Sequence, residues 1–485
     1  MRFVLVVLGV AALSVPACTG VDATSGSDPG PNMDEGGTTA DGSTSGTLPE
    51  AGSGCNASAA PRCDGNTLVT CSSAGVAEIT PCALDCDAAQ GRCKSLRPTI
   101  AASDVDISAA TATKPIDLPD TILIEADTGF IGRRNPDGTS FGTPIRAAGA
   151  GTIDGVVYAV VDQTGAPKLA VFGFAALSIG AAATVKVVGT NAVALMAKGP
   201  IAVDGHLSAR GDCAVLPRIA GPGGFLAGLP AAASDGAPGG GLGGAVDAVN
   251  PFACGGCGGG GNGTAGTFGG NAVDGARVGS GGLGGMPRGK TILVEPILAG
   301  GGGGGCAGGP GGGALALLAS GEIRVTGVVE AGGCGGGKAG FSNSNSCGAG
   351  GGGGGAGGTI FFEAPTVVVA SSGRVLANGG GGGGGSNGME GLRADGSDAS
   401  STDATPAPGG ASGQFGSVVC NKGAAGSPAA ANQPLQCDHS AGSTRAAGGA
   451  GGAGHIAART KEGVAAVVSG AVVSPAFLNE FVQTR

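Results

Sequence analysis

From about residue 98 onward the chain alternates apolar and polar residues in short runs. Thr121-Ile-Leu-Ile-Glu125, Val156-Val-Tyr-Ala-Val-Val161, Lys168-Leu-Ala-Val-Phe172 and Thr184-Val-Lys-Val-Val188 lie between Gly, Asp and Pro. A period of two puts successive side chains on opposite faces of a strand, so each run predicts a strand. Beyond the N-terminal apolar segment, no stretch carries a helical apolar period.

The alternations repeat. Ala192-Val-Ala-Leu-Met-Ala-Lys-Gly-Pro-Ile-Ala-Val-Asp-Gly-His-Leu-Ser-Ala209 aligns without gaps on Ala314-Leu-Ala-Leu-Leu-Ala-Ser-Gly-Glu-Ile-Arg-Val-Thr-Gly-Val-Val-Glu-Ala331. A looser copy runs from Thr359 to Ala364, through Val367 to Val369 and on to Gly379, and a fourth begins near Gly454. Gly199 and Gly205 match Gly321 and Gly327, which predicts corners between short strands. Three strands per repeat with glycine at the corners predict an all-β, parallel β-helix-like domain, apolar side chains inward and Glu322, Arg324 and Thr326 outward.

Glycine takes 107 of the 485 positions and comes in blocks between these repeats. Such blocks bury little side-chain surface and lose much backbone entropy on ordering, so they are expected to leave the coil at one corner as long insertions. An antiparallel sandwich asks for shorter connections than these. Packing of the blocks as polyglycine II helices asks for regular Gly-x-x spacing, which the chain keeps only locally. The repeat pattern, over roughly residues 165–480, resembles the glycine-rich β-helical surface proteins of myxobacteria.

The N-terminus reads as an export signal. Met1-Arg2 is basic, Phe3 to Val15 is apolar and too short to span a membrane, and Val15-Pro16-Ala17-Cys18 follows. The last four residues resemble the lipobox of bacterial lipoproteins, although Pro16 departs from the usual pattern. That resemblance implies a lipid anchor on Cys18 and, with Thr19 next, the outer membrane. Ordinary cleavage after Ala17 and secretion is the alternative. Residues 18–54 then read as the anchor cysteine and a Gly/Ser/Thr/Asp tether.

Cys55, Cys63, Cys71, Cys82, Cys86 and Cys93 form a module over 55–97. In an exported chain six cysteines predict three disulfides, with fifteen possible connectivities. Asp64-Gly65 and Ser72-Ser-Ala-Gly75 predict turns flanking strands at 67–70 and 76–80. The module resembles small cysteine-rich units that follow the tether in surface lipoproteins of myxobacteria and their relatives. Eight further cysteines, Cys213, Cys254, Cys257, Cys306, Cys334, Cys347, Cys420 and Cys437, lie in or beside glycine blocks of the 98–485 domain. Four more disulfides are the expectation, rather than a redox or metal pair at Cys254-Gly-Gly-Cys257.

Composition narrows the partners. Charged residues are 13%, net charge is −9, aromatics are 3% and Trp is absent. An acidic chain with few cations and few stacking side chains does not suit nucleic acid. Gly284-Gly-Met-Pro-Arg-Gly-Lys290-Thr291 matches a phosphate loop in letters but lacks the strand before and helix after that would aim N–H groups at phosphate, so no nucleotide is expected. Gly138-Thr-Ser140-Phe-Gly142 and Gly384-Gly-Ser386-Asn-Gly388 match the nucleophile elbow without its strand–helix context, and the histidines are His206, His439 and His455. Arg210-Gly211-Asp212 is an adhesion-type tripeptide, and Asp395, Asp398 and Asp403 a small acidic group without a calcium repeat.

No catalytic set, metal site or cofactor emerges. The expectation is a non-enzymatic surface protein displaying glycine-rich loops for adhesion or envelope structure, anchored in the outer membrane. Its partners would be extracellular polysaccharide or another surface protein. The alternative is a carbohydrate-active or glycan-binding coil using the outward row Glu322, Arg324 and Glu330.

Overall fold

The computed structural model describes residues 55–483 apart from 95–97, 118, 136–139, 215–217, 228–238, 243–254, 275–276, 289–295, 306–307, 340–349, 387–393, 413, 416–417, 420–422, 427–436 and 440–445. The expected signal, Cys18 and tether lie outside these residues, as do Cys254, Cys306, Cys347, Cys420 and Lys290. The described residues form strands, one short 3-10 turn at Ala101–Asp104 and no α-helix.

In the cysteine-rich module, Arg62–Asp64, Thr67–Cys71 and Ala77–Pro81 pair antiparallel in sequence order. The two later strands sit where the turn residues place them. Disulfides join Cys55 to Cys71, Cys63 to Cys86 and Cys82 to Cys93. They hold a unit whose buried side chains are few, Val69, Ala77, Cys82 and Leu84 among them.

Beyond it, three sheets take one strand each from every repeat. The first contains Leu169–Phe174, Ala192–Ala197, Ala314–Ala319, Thr359–Glu363, His455–Thr460 and Leu478–Phe481 in parallel succession. The second stacks Thr113–Ile116, Ala176–Ile179, Ile201–Val203, Glu322–Val325, Thr366–Val369 and Ala466–Val467, also parallel. The third stacks Thr121–Glu125, Thr184–Val188, His206–Ser208, Val328–Glu330, Arg374–Leu376 and Val472–Ser474. Leu195 pairs with Leu317, Ile201 with Ile323 and Leu207 with Val329, the register of the ungapped sequence repeat. Phe172, Leu195, Leu317 and Phe362 from the first sheet meet Ile201, Ile323, Val185 and Val329 from the other two in one buried cluster. Burying side chains of this size contributes about 1.5–3 kcal/mol each.

The first and third sheets are mixed rather than wholly parallel. Gly151–Ile153 and Val156–Val161 extend the first sheet antiparallel, and Ile131–Arg134 and Ser140–Arg146 extend the third. Arg146 pins this end. Its guanidinium is fully buried and donates to the carbonyls of Val156, Gly129, Ala147, Gly149 and Gly151 at 2.6–3.2 Å. Five donors spread over five carbonyls is the condition under which a buried guanidinium is tolerated without a carboxylate.

The glycine blocks leave at one corner, between the third sheet and the next strand of the first, as expected. Most of their described residues are packed rather than displayed as exposed loops. Residues 255–261, 299–304, 308–313, 350–358, 379–384 and 446–453 are almost wholly buried. Successive residues bond to different neighbours with a period of three. Gly256 and Gly259 donate to Gly270 and Thr267, Cys257 and Gly260 to Gly351 and Gly354, and Gly258 and Gly261 to Leu242 and Gly239. Likewise Gly351, Gly354 and Gly357 donate to Ala446, Gly449 and Gly452, while Gly352, Gly355 and Gly358 donate to Gly337, Cys334 and Ala331. A backbone of three residues per turn, with no bonds to itself, has this pattern. The local Gly-x-x spacing therefore governs the blocks, because buried N–H and C=O groups must pair with something and each segment has several neighbours.

Packing this close excludes side chains. A Cβ on Gly259 would overlap the Ala450 carbonyl, and one on Gly353 the Gly258 carbonyl. Of the later cysteines, Cys213 and Cys334 form a disulfide across 121 residues and Cys257 is buried in the array. Cys437 begins the strand Cys437–His439.

Gly259→Ala or Gly353→Ala is expected to lower stability by about 3 kcal/mol, read as a fall in denaturant midpoint. Leu283→Ala, on an exposed outer position, should stay within about 0.5 kcal/mol. A non-reducing peptide map should return the four pairs named above. Replacing both Cys213 and Cys334 by Ser should cost about 2–4 kcal/mol.

Candidate functional site

Two clusters of polar side chains form on the outer faces of the sheets. On the third sheet, Val185, Leu207 and Val329 point inward, so Lys186, Ser208 and Glu330, paired across successive strands, point outward. Glu330 is buried there. His206 Nε2 lies 3.1 Å from its Oε1, and Ser208 Oγ donates to the same oxygen at 2.8 Å. Burial pushes the Glu330 carboxyl up, but the His206 hydrogen bond and charge, the Arg210 charge and the Ser208 hydrogen bond outweigh it and hold the group below its ordinary value. Serine, histidine and glutamate are adjacent, yet both hydroxyl and imidazole address the carboxylate. A nucleophile needs the imidazole between the hydroxyl and the acid.

The expected row Glu322, Arg324 and Glu330 is divided by the corner at Thr326-Gly327. Glu322 and Arg324 are exposed on the second sheet, 3.9 Å apart, whereas Glu330 is buried on the third. The adhesion-type tripeptide has both charges engaged. Arg210 pairs with Asp398 at 2.9 Å and Asp212 with Lys186 at 2.9 Å. The acidic group disperses. Asp395 pairs with Arg218 and accepts from Lys338 N–H, Asp398 accepts from Gly335 N–H, and Asp403 accepts from Thr405 N–H. Among the described residues one metal-type grouping occurs, Cys213, Cys334 and Asp398, and its two sulfurs are joined to each other. Ser386 is fully buried in the glycine array, and Gly285 there donates to Gly259, while the residues that follow the two motifs, 289–295 and 387–393, lie outside the described residues.

The second cluster was not read from the sequence. Glu363, Arg459 and Glu480 are register partners on three successive strands of the first sheet. Ile360, Phe362, Ile456 and Ala458 point into the core, which turns the charged row outward. The Arg459 Nε donates to Glu480 at 2.6 Å, its Nη1 reaches Thr99 Oγ1, and Thr99 N–H donates to Glu363 at 3.1 Å. The guanidinium also lies 5.5 Å from the Phe361 ring centroid. Thr99, Asp162, Gln163, Arg459 and Gln483 line a cleft of ≈ 600 Å³ beside the row. Gln163 is anchored, donating to Pro167 and accepting from Ile297 N–H. Among the described residues no His or Cys lines the cleft. Aligning the third repeat on the fourth would have placed Glu363 and Arg459 at one position. The first two repeats carry Met196 and Leu318 there, which hides the signal.

Within both clusters the charged groups pair with one another, while Glu330 Oε2 and Glu480 Oε1 are buried with no hydrogen-bond partner among the described residues. No family model, curated protein or solved structure matches the chain.

A depressed carboxyl contributes stability above its unfolded value and loses it as pH falls through the folded one. The wild type should therefore lose denaturant resistance below about pH 4.3. Glu330→Gln should flatten that part of the profile, with urea midpoints measured against pH as the check.

Proposed function

We propose that this chain is a non-enzymatic, exported surface protein, held at the outer membrane through Cys18, that serves as a rigid structural or adhesive body. The observation that carries the reading is the burial of the glycine blocks. They spend the chain's length on a dense, hydrogen-bonded interior rather than on mobile display loops. Ion pairs on the outer faces support it, since Lys186, Arg210 and Arg459 are committed to internal partners. The finer fold belongs to the same proposal: the three sheets form a parallel β-helix, capped by antiparallel strands at one end. Five successive strand triples in one register support that assignment. The four disulfides suit an oxidising compartment.

A second reading rests on the cleft beside Arg459. Amide and carboxyl side chains such as Gln163, Gln483 and Asp162 match vicinal hydroxyls, which favours a glycan.

Fractionating cells that express the full chain tests the first reading. Wild-type protein should sediment with outer membrane, and Cys18→Ala should release it. Membrane retention of that variant removes the lipid anchor. Turnover of a polysaccharide by the purified protein, abolished by Glu480→Gln, would overturn the non-enzymatic reading.

A further inference from the structure

The cleft beside Arg459 has a neighbour. A second cleft of ≈ 370 Å³ is lined by Asp104, Asp106, Ser108, Met196, Lys198 and Ser320. Pro98 and Ser103 belong to the walls of both clefts. Ser103 N–H donates to the Ile100 carbonyl at 2.9 Å in the 3-10 turn, which folds Ser103 back toward Pro98. The two clefts therefore adjoin at this turn.

Their reach follows from the register of the first sheet. Met196 pairs with Leu318, Leu318 with Glu363 and Glu363 with Arg459. Met196 lines the second cleft and Arg459 the first, three strand spacings apart, which is about 14 Å. A single sugar ring fills one cleft, and only a chain of rings fills both.

Charge narrows the class of chain. Among the described residues the lining acids are Asp104, Asp106 and Asp162, and the lining cations are Arg459 and Lys198. Both cations are engaged, Arg459 Nε with Glu480 at 2.6 Å and Lys198 Nζ with the Ser108 carbonyl at 2.9 Å. An acidic polymer would set its carboxylates against like charges, on a protein whose net charge is −9. The exposed side chains of Thr164, Ser320 and Gln483 instead offer neutral donors and acceptors that match sugar hydroxyls. No aromatic side chain is among the described lining residues, so binding rests on hydrogen bonds spread along the chain and strengthens with the number of rings engaged.

We infer that the two clefts form one site for an extended, uncharged glycan chain. The inference rests on the reading of the Arg459 cleft as a glycan site.

Calorimetric titration of the purified full chain tests it, with cello-, manno- and N-acetylated chito-oligosaccharides, each as disaccharide and hexasaccharide, and with hexagalacturonate. At least one neutral hexasaccharide should bind about tenfold tighter than its own disaccharide and than hexagalacturonate. Ser320→Trp, which fills the second cleft, should bring that hexasaccharide down to the affinity of the disaccharide and leave the disaccharide unchanged. Ser108→Trp, also in the second cleft, gives the same reading if the first variant does not fold, and circular dichroism reports folding for both. Thr164→Trp, in the first cleft, should abolish binding of both sugars. A hexasaccharide no tighter than its disaccharide, one insensitive to the second-cleft variants, or hexagalacturonate bound equally well overturns the inference and leaves the glycan reading standing. Binding of none of these sugars, or binding untouched by Thr164→Trp, overturns the glycan reading and the inference with it.

Discussion

Hydrogen bonding between glycine backbones is the constraint on which the body depends. A segment such as 255–261 makes no bonds to itself and distributes its N–H groups over three neighbours. Each neighbour is fixed by the others, so the array orders as a unit. The net worth of one such bond is about 1 kcal/mol, but leaving a buried group unmade costs about 1–3 kcal/mol. The array therefore resists partial opening more than its individual bonds suggest. It also explains the disulfide from Cys213 to Cys334, which joins chain leaving two successive repeats and restrains glycine segments that have large entropy to regain.

The strand stack and the array support each other through the outer face of the first sheet. Ala192, Ala194, Ala314, Ala316 and Ala457 keep that face low, and Ile297, Ala299, Ile100 and Ala102 cover it. Small residues are needed where another backbone approaches. Beside the alanines, the row of Met196 and Leu318 becomes Glu363, Arg459 and Glu480. The polar cleft is thus the margin of a packed face.

Much of the stack was legible. The gapless match of 192–209 on 314–331 fixes strand, corner and register together, since an inserted residue would turn every side chain to the other face. The cysteine module was legible as a hairpin, but not its pairing, because spacing leaves connectivity open. The array was written in the sequence only where glycine is interrupted. Ala447, Ala450 and Ala453 recur at three, as do Ser280, Leu283 and Met286, yet a pure glycine run has no visible period. Arg146 gave no signal, because five backbone carbonyls converge on it only after the antiparallel strands have paired. Glu330 was visible as an acid but not as a buried one, since that depends on His206 and Ser208 from the preceding repeat.

The buried glycine segments carry one further consequence. Proteases recognise a cleavage site by gripping the side chains around it, along an extended strand drawn out into their groove. Segments such as 350–358 have almost no side chains to grip, and every turn of them is held by neighbours on several sides. A composition that in a free linker would invite digestion becomes, in this packing, a casing resistant to it.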